Sequence, residues 1–340
     1  MNPADINAVS QLKERVFILG NCHNAEIRIQ KNATLNLGSG NSNHQNTLLQ
    51  CKEKSKIIVE KGGTLNMFGG KSTLRIFKNA QLILEDGATL IIRDGSQLIL
   101  DEGSKFVIGN QVNIYINGKN AIVHVKGELL LSQNATLQVR SEKGMETGML
   151  KLSHVGGGFG TCKITGGGHA KLLVYGNDAQ ASTVLQIEGN INTHKVFDTI
   201  AMHRANVKFA NNSSLLVSGY VQIENCGFSP TDWSKYSQNG LVVESGKLNL
   251  SGSEFSKLNT GLQIQSSCKA VVQNNRFLSC TTALLTESSG VKIKNCTFKN
   301  NTVGIEIFGN ESLDSIMLSN FTNNETGIYS SAESVYNPLH

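Results

Sequence analysis

The chain has 340 residues, including 34 Gly and only 3 Pro, with 6% aromatic and 17% charged residues and a formal net charge of +5. This composition is rich in turn-forming residues, and the length allows a sizeable core. No Lys/Arg run with interleaved aromatics occurs, so we expect no nucleic-acid partner. No apolar run reaches about 18 residues, so no membrane span is predicted.

Residues 1–15 are predicted to be a lead-in to the folded region. A short helix at residues 8–15 would cap the first repeat and cover its open edge. The N-terminus lacks a basic region followed by an apolar core. The protein is therefore either cytoplasmic or an exported protein without its signal peptide. We favour the second interpretation and predict a secreted or cell-surface protein.

Residues 80–109 contain four units of about eight residues, each with alternating apolar positions and each ending in Gly. Two folds fit this pattern. Three units can form one coil of a solenoid, or the Asp-Gly pairs can close hairpins of an antiparallel meander. We favour the solenoid because the period downstream is commensurate. In that register Leu82, Leu84, Leu90 and Ile92 point inward.

The same register leaves four aliphatic side chains pointing outward. An outward aliphatic row is a candidate interaction face for a partner or a larger assembly, although scattered surface apolar residues are common. Ile83 and Val107 are expected to stack on one face of it. The residues of this candidate face are Ile83, Ile91, Ile99 and Val107.

The least regular section lies at residues 144–210. It contains two glycine clusters and four of the eight histidines, at His154, His169, His194 and His203. No His-x-x-x-His spacing supports a metal site, and no Lys-Ser/Thr follows the glycine clusters as a phosphate-binding loop requires. We therefore predict neither a metal site nor a cofactor here.

Two phrases recur between residues 215 and 332 at intervals of roughly 21 to 27 residues, a period typical of solenoids. One phrase ends in an aromatic, and the other places a small residue before an aliphatic one. The aromatics are Phe228, Phe255, Phe277, Phe298 and Phe321, and the small residues are Gly240, Gly261, Ala283, Gly304 and Gly327. A coil of about 22 residues accommodates three short strands with Gly, Asn and Ser at the corners. An α-solenoid is excluded because no stretch keeps the apolar helical period for three turns.

At these residues the chain resembles the right-handed parallel β-helix proteins, the pectate-lyase-like superfamily that includes tailspikes and many surface adhesins. The resemblance implies an all-β parallel β-helix of about 22–24 residues per coil. Its predicted parts are a lead-in at 1–15, one solenoid at 16–332 and a tail at 333–340. Within the solenoid we distinguish the segments 16–143, 144–214 and 215–332.

The best candidate for recognition is an insertion of about five residues within 229–238. It contains the one Trp of the chain, and the candidate binding residues are Asp232, Trp233, Lys235 and Tyr236. Aromatic faces with flanking polar groups bind sugar rings, and loops often carry binding residues. The alternative is that Trp233 folds back and covers its own coil.

Catalytic motifs are sparse. A β-helical lyase needs clustered acids that bind Ca²⁺ and a basic residue that takes a proton, and a hydrolase needs a close pair of carboxylates. The chain has no Asp-x-Asp, Asp-Asp or Gly-His-Gly, and Asp86 and Asp94 lie a third of a coil apart. We expect no catalytic residues, and Ca²⁺ only if the protein is a lyase.

The seven cysteines show no Cys-x-x-Cys spacing and are best explained as small buried apolar side chains. A disulfide between Cys22 and Cys51 remains open. Asp198-Thr199-Ile200 and Asp314-Ser315-Ile316 resemble the O-glycosylation sites of secreted proteins of the Bacteroidetes, which implies modification of Thr199 and Ser315.

Two functions follow from these observations. The first is a non-catalytic, secreted or cell-surface structural or adhesion module that binds a polysaccharide or a protein partner, as part of a larger protein or assembly. The alternative is a polysaccharide lyase or glycoside hydrolase acting on an acidic polysaccharide, which rests on fold-level analogy. Clustered acids beside a base would favour the enzyme, and rows of Thr, Asn and Ser would favour the scaffold.

Overall fold

A computed structural model of the chain describes residues 4–6, 9–12, 16–19, 24–38, 47–68, 71–142, 145–153, 162–166, 169–176, 183–193, 196–232, 238–308 and 313–331. In these residues the chain winds as a right-handed parallel β-solenoid without any helix. Accordingly, no helix that could cross a membrane occurs among them. The predicted fold class is confirmed.

Short strands make up the first section of the solenoid. They are β1 (Ala4–Ile6), β2 (Val9–Leu12), β3 (Val16–Leu19), β4 (Glu26–Ile29), β5 (Thr34–Leu37), β6 (Leu48–Cys51), β7 (Lys56–Val59), β8 (Thr64–Met67), β9 (Thr73–Ile76), β10 (Gln81–Leu84), β11 (Thr89–Ile92), β12 (Gln97–Leu100), β13 (Lys105–Ile108), β14 (Asn113–Ile116), β15 (Ile122–Val125), β16 (Glu128–Leu131) and β17 (Thr136–Val139).

Strand lengths vary more in the rest of the chain. The remaining strands are β18 (Met149–Ser153), β19 (Lys163–Gly166), β20 (Ala170–Tyr175), β21 (Thr183–Glu188), β22 (Asn190–Asn192), β23 (Phe197–His203), β24 (Asn206–Phe209), β25 (Ser214–Glu224), β26 (Gly227–Pro230), β27 (Asn239–Ser251), β28 (Glu254–Ser256), β29 (Thr260–Gln273), β30 (Arg276–Leu278), β31 (Thr282–Thr286), β32 (Gly290–Lys294), β33 (Thr297–Lys299), β34 (Val303–Ile307), β35 (Ser315–Met317), β36 (Asn320–Thr322) and β37 (Thr326–Ser330).

The strands stack into four sheets. Sheet 1 contains seven strands from β1 to β19, and sheet 2 contains the five strands β2, β5, β8, β11 and β14. Sheet 3 has thirteen strands and runs from β3 to β36, so it connects both ends of the described solenoid. Sheet 4 begins at β17 and reaches β37 with twelve strands. One coil of the first section contributes one strand to each of sheets 1, 2 and 3.

The pairing at residues 80–109 decides between the two predicted folds. Strand β10 pairs in parallel with β7 and β13, and Gln81 lies opposite Lys105, one coil of 24 residues further on. The units therefore belong to a solenoid and not to a meander. Gly87 follows Asp86 with a φ of 74°, a left-handed conformation that turns the chain at the corner of a coil.

In the second half of the chain, a bend within one strand replaces the corner between the first two faces of each coil. Strand β25 pairs with β22 through its first residues and with β23 through its last, so one bent strand spans two faces. The bend occurs at Gly219 and Gly246, with φ values of 83° and 100°. A Cβ atom on Gly246 would lie 2.2 Å from the carbonyl oxygen of Gly219. Two glycines thus allow neighbouring coils to bend at the same place.

The predicted N-terminal helix is wrong. Residues 9–12 form β2, which pairs in parallel with β5, and Val9 lies opposite Thr34. Strand β1 pairs in the same way with β4. Parallel pairing satisfies the backbone groups of the first coil, which a helix across that edge would leave without strand partners. The described residues of the lead-in, 4–6 and 9–12, therefore already pair as strands of a coil.

The core is a continuous column of stacked apolar side chains inside the sheets. Leu82, Leu84, Leu90 and Ile92 are all fully buried, as the alternating pattern predicts. The repeated aromatics form a ladder, in which the ring centroids of Phe228 and Phe255 lie 4.4 Å apart and those of Phe277 and Phe298 lie 4.9 Å apart. Each coil therefore covers the apolar face of the next.

The six described cysteines are buried free thiols: Cys51, Cys162, Cys226, Cys268, Cys280 and Cys296. Burial raises the pKa of Cys51 and of Cys162 to about 12. These thiols stay protonated at neutral pH and behave as small apolar side chains. Cys22, with which a disulfide of Cys51 was left open, lies outside the described residues.

Replacing Phe277 by Ala is expected to destabilise the protein by about 3–5 kcal/mol, because a fully buried ring that stacks on both sides leaves a cavity in the core. Urea denaturation measures the loss. Phe308→Ala is the matched control, since this ring is 55% exposed, and it should change the free energy of unfolding by less than about 0.5 kcal/mol. Equal losses in both variants would contradict the stacking argument.

Gly246→Ala is expected to cost at least about 1 kcal/mol, because the side chain strains a left-handed backbone and meets the neighbouring coil. Gly327→Ala is the control, since a Cβ there has only an ordinary contact of 3.8 Å with Phe321. Thermal unfolding of both variants checks the difference. A Gly246→Ala protein as stable as the control would show that the bend does not require glycine.

Candidate functional site

A concave site forms where sheet 2 ends. After β17 the chain makes one parallel bridge from Arg140 to Tyr115 and one antiparallel bridge from Thr147 to Asn117, instead of another strand of the sheet. Arg140 donates a hydrogen bond of 3.1 Å to the Tyr115 hydroxyl oxygen, and its guanidinium lies 4.7 Å from the ring centroid. The segment around these bridges thus covers the edge of β14 and forms one wall of a groove.

Stacked corner residues form the floor of the groove. Because Met67, Ile92 and Ile116 are register partners, the residues that follow them, Phe68, Arg93 and Asn117, lie one above another. The Arg93 guanidinium lies 5.6 Å from the centroid of the Phe68 ring. Parallel stacking therefore assembles an aromatic, a cation and an amide that are far apart in sequence.

Hydrogen bonds fix the polar groups of the floor. Arg93 Nε donates to Asn66 Oδ1 at 3.2 Å, and Arg93 Nη1 donates to Glu142 Oε2 at 3.4 Å. Asn117 Nδ2 donates to the same Glu142 oxygen at 2.7 Å, while Asn117 Oδ1 accepts from the Glu142 N–H at 2.8 Å. Glu142 thus links the arginine to the amide and holds both side chains in place.

The resulting cavity, the corner groove, has a volume of about 530 Å³ and is lined by Phe68, Arg93, Asp94, Asn117, Gly118, Lys119, Met145 and Glu146. Lys119 is exposed, and among the described residues it makes no ion pair. Planar polar groups and an aromatic ring around a cavity of this size suit a small hydroxylated or charged ligand.

A second polar cluster lies on sheet 3. Ser153 Oγ lies 2.7 Å from His124 Nε2 and 2.5 Å from Glu188 Oε2. Lys151 Nζ lies 2.6 Å from Glu188 Oε1. A carboxylate only accepts hydrogen bonds, so Ser153 donates to Glu188, and His124 then donates to Ser153 through a protonated Nε2. These contacts therefore form one network that extends from Lys151 through Glu188 and Ser153 to His124.

This cluster is not a nucleophilic triad. In a triad the histidine accepts the serine proton, whereas here the Ser153 proton points to Glu188, and Ser153 is only 1% exposed. Burial and the nearby Lys151 and Lys126 lower the pKa of His124 to about 4, so the imidazole is neutral at pH 7. Burial raises the pKa of Glu188, but hydrogen bonds from Lys151 and Ser153 outweigh it and the net shift is downward. The cluster is a satisfied polar network.

Most of the predicted binding loop lies outside the described residues. This applies to Trp233, Lys235 and Tyr236, whereas Asp232 is described and exposed just beyond β26. Sugar binding by this loop therefore stays a prediction. The predicted glycosylation residues Thr199 and Ser315 are half-buried within β23 and β35, and their modification also stays a prediction.

The four outward aliphatic residues do not share one face. Ile83 and Val107 are register partners on sheet 1, where Leu130 extends the row on one side and Ile58, which is buried, holds the equivalent position on the other. Ile91 lies on sheet 2 and Ile99 on sheet 3. The Ile83 and Val107 row is therefore longer than expected. The four-residue face is not formed, because each unit of eight residues occupies a different side of the coil.

The histidines of the irregular section do not form a metal site among the described residues. His154 and His194 are outside them, His169 contacts Asp198, and His203 Nδ1 lies 3.4 Å from Glu224 Oε2. No group of three His, Cys, Asp or Glu side chains that could bind a metal ion is found in the described part of the chain.

The two aspartates considered as a carboxylate pair, Asp86 and Asp94, have separate partners. They accept hydrogen bonds from the backbone N–H groups of Asn110 and Asn120 in the next coil.

The sequence analysis did not identify the corner groove. Arg93 and Glu142, which meet there, lie 49 residues apart. Alignment of the repeats could have placed Phe68 beside Arg93, because both follow strands of equal length. No signal in the sequence marks the place where sheet 2 ends and the covering segment turns inward.

Comparison with known proteins supports the fold. A family model described as "Right handed beta helix region" matches residues 214–339. No curated protein has a sequence similar enough to match this chain. The matched residues belong to the second half of the chain, and the structure shows the same right-handed parallel β-solenoid throughout the described residues.

Three solved structures are similar to this chain at low sequence identity. A periplasmic alginate epimerase has 11% identity and a TM-score of 0.28, with 84% of this chain and 77% of that chain covered. A hyper-glycosylated fragment of TibA has 12% identity and a TM-score of 0.31, with 97% and 100% covered. A surface protein and adhesin of Streptococcus pneumoniae has 11% identity and a TM-score of 0.24, with 93% and 90% covered. Identities this low do not indicate shared chemistry.

The histidine network predicts a pH dependence of stability. The pKa of His124 is about 4 in the folded protein and 6.5 for an unperturbed histidine, so between these values the unfolded state binds the proton more readily. The free energy of unfolding should therefore fall as the pH decreases from about 6.5 to about 4. Urea denaturation at several pH values measures this drop.

The variant His124→Asn should show a smaller decrease over the same interval, because it removes the group that titrates. His169→Asn, at an exposed histidine on another part of the solenoid, is the control and should keep the decrease of the parent protein. An unchanged decrease in His124→Asn would disprove the assignment.

Proposed function

We propose that this protein is a non-catalytic, secreted or cell-surface β-helical module that binds carbohydrate in the corner groove. The observation that carries the proposal is the composition of the groove, in which Arg93, Lys119 and Glu146 surround a cavity of about 530 Å³ beside Phe68. Charged and amide groups form the hydrogen bonds that orient hydroxyl and carboxyl groups of a sugar, and an aromatic side chain packs against its apolar face.

The rigidity of the groove supports binding. Arg93 and Asn117 are held by Glu142 and Asn66 before any ligand arrives, so their ordering costs little on binding. Arg93 has five N–H donors, and the two bonds above occupy only part of them. The remaining donors of Arg93, the Lys119 ammonium and the Glu146 carboxylate are available to a ligand.

An enzyme would use the same groove differently. A hydrolase needs two carboxylates that flank the bond to be broken, and Asp94 and Glu146 both line the cavity. Asp94, however, accepts hydrogen bonds from the Asn120 N–H at 2.9 Å and from Asn120 Nδ2 at 3.4 Å. Its carboxylate thus anchors the neighbouring turn, which favours binding over catalysis.

The secreted or cell-surface location is part of the proposal. It is supported by turn-rich Asn and Ser coils of the kind found in surface β-helices, and by the two Asp-Ser/Thr-aliphatic tripeptides. Glycosylation of Thr199 and Ser315, and binding through Trp233 and Tyr236, would extend the same function. Each of these depends on residues away from the groove and can be tested separately.

A glycan array with the purified chain, followed by titration calorimetry with the best oligosaccharide, tests the proposal. We expect saturable binding that becomes roughly tenfold weaker in Lys119→Ala and in Glu146→Gln, because each variant removes a charged hydrogen-bonding group. Lys78→Ala, at an exposed lysine on another corner, is the control and should bind like the parent protein.

The same samples are assayed for reducing ends and for unsaturated products. Saccharide binding without either product supports the proposal of a non-catalytic module. Product from any saccharide would show that the protein is an enzyme. Binding that is insensitive to Lys119→Ala and Glu146→Gln but lost in Trp233→Ala would move the site to the 229–238 loop.

A further inference from the structure

A row of lysines crosses the outward face of sheet 4 near its C-terminal end. Lys247 lies on β27, Lys269 on β29, and Lys292 and Lys294 on β32, and all four are exposed. Lys247 and Lys269 are direct register partners, and Gly290, two residues before Lys292, is the partner of Lys269. These four residues, the lysine strip, therefore occupy three consecutive coils.

The strip places like charges opposite each other. Strands stack about 4.8 Å apart, so the stems of Lys247 and Lys269 start at this separation. Like charges at facing positions destabilise a sheet. Among the described residues Lys292 has an ion pair, with Asp314 at 3.4 Å, and Lys247, Lys269 and Lys294 have none. Stability of the folded chain alone does not explain this arrangement.

Protection of a sheet edge does not explain the lysine strip either. Lysines often block the exposed edge of a sheet, but β27 pairs with both β25 and β29, and β29 pairs with both β27 and β32. The strip therefore lies on the face of interior strands. The position of the lysine strip therefore suits a binding partner that covers this face of the sheet.

Acidic residues of the neighbouring strands are engaged by other side chains. Glu287 accepts a hydrogen bond from Gln263 and Glu306 accepts one from Thr282, and these contacts belong to the segment before the bend. On the strip side, Glu224 is engaged by His203 and Gln222. Among the described residues, Asp314 is the one acid that forms an ion pair with a lysine of the strip, so the strip keeps a net positive charge.

Apolar and aromatic groups border the lysines. Tyr220 precedes Lys247 in the same row and is 40% exposed, and Val271, between Lys269 and the end of β29, is 36% exposed. Asn249 Nδ2 donates a hydrogen bond of 3.1 Å to the Tyr220 hydroxyl oxygen, which fixes the ring. A flat surface that alternates ammonium groups with apolar contacts matches a chain of sugar rings that carry anions.

We propose that the lysine strip binds a linear acidic polysaccharide, with its carboxylate or sulfate groups on Lys247, Lys269, Lys292 and Lys294 and a sugar ring against Tyr220. A nucleic acid fits less well. Single strands bind to several stacked aromatic residues, and the strip has one ring; double strands are read by an element that enters a groove, and the strip is flat. The strip is separate from the corner groove, so the proposal does not depend on it.

Titration calorimetry of the full chain with heparin oligosaccharides and with oligogalacturonate tests the proposal and separates sulfate from carboxylate recognition. We expect saturable binding of at least one of them that weakens as salt is added. The double variant Lys247→Glu/Lys269→Glu should bind about tenfold more weakly or worse, and Lys247→Arg/Lys269→Arg should stay within about twofold of the parent protein.

Lys61→Glu/Lys78→Glu is the charge-matched control, because both lysines are exposed at corners of the first section. It should keep the affinity of the parent protein, and so should the groove variant Lys119→Ala, which separates this site from the proposed function. No binding of either saccharide would overturn the proposal. An equal loss in the control pair, or tighter binding of single-stranded DNA than of either saccharide, would do so as well.

Discussion

The whole structure depends on parallel backbone pairing between one coil and the next. A single coil has too few residues to bury its own apolar face, so its core positions are covered only when another coil stacks in register. The pairing of Gln81 with Lys105, and of Phe277 with Phe298, shows this register in both halves of the chain. Any residue that bends or shortens a coil therefore changes its neighbours too.

The outer surface follows from the same constraint. Since equivalent positions of successive coils stack, outward residues form rows, such as the aliphatic row of Ile83 and Val107 and the lysines on β27 and β29. A regular stack produces flat faces. Concave features arise where the stack is interrupted, and the corner groove lies at such an interruption, where sheet 2 ends at β14.

Several charged groups of the described coils have structural partners. Asp86 and Asp94 anchor turns of the next coil, and Glu188 is engaged by Lys151, Ser153 and Gln186. Half-buried His124 is neutral at pH 7 and donates to a serine whose proton is already directed to a carboxylate. The lysine strip and the polar lining of the corner groove are the surface features on which the two binding proposals rest.

The repeats alone determined the fold class, the coil length and the inward residues, because a period of about 22 residues with strand alternation leaves few architectures. The Phe ladder was predictable for the same reason. The predicted helix at residues 8–15 was wrong because strand pairing with β4 and β5 outweighed local preference. The corner groove could not be predicted, since Arg93, Asn117 and Glu142 meet only after a segment leaves the ladder and covers the β14 edge. Sequence periodicity thus determined what repeats, and only the tertiary structure decided where the repetition stops.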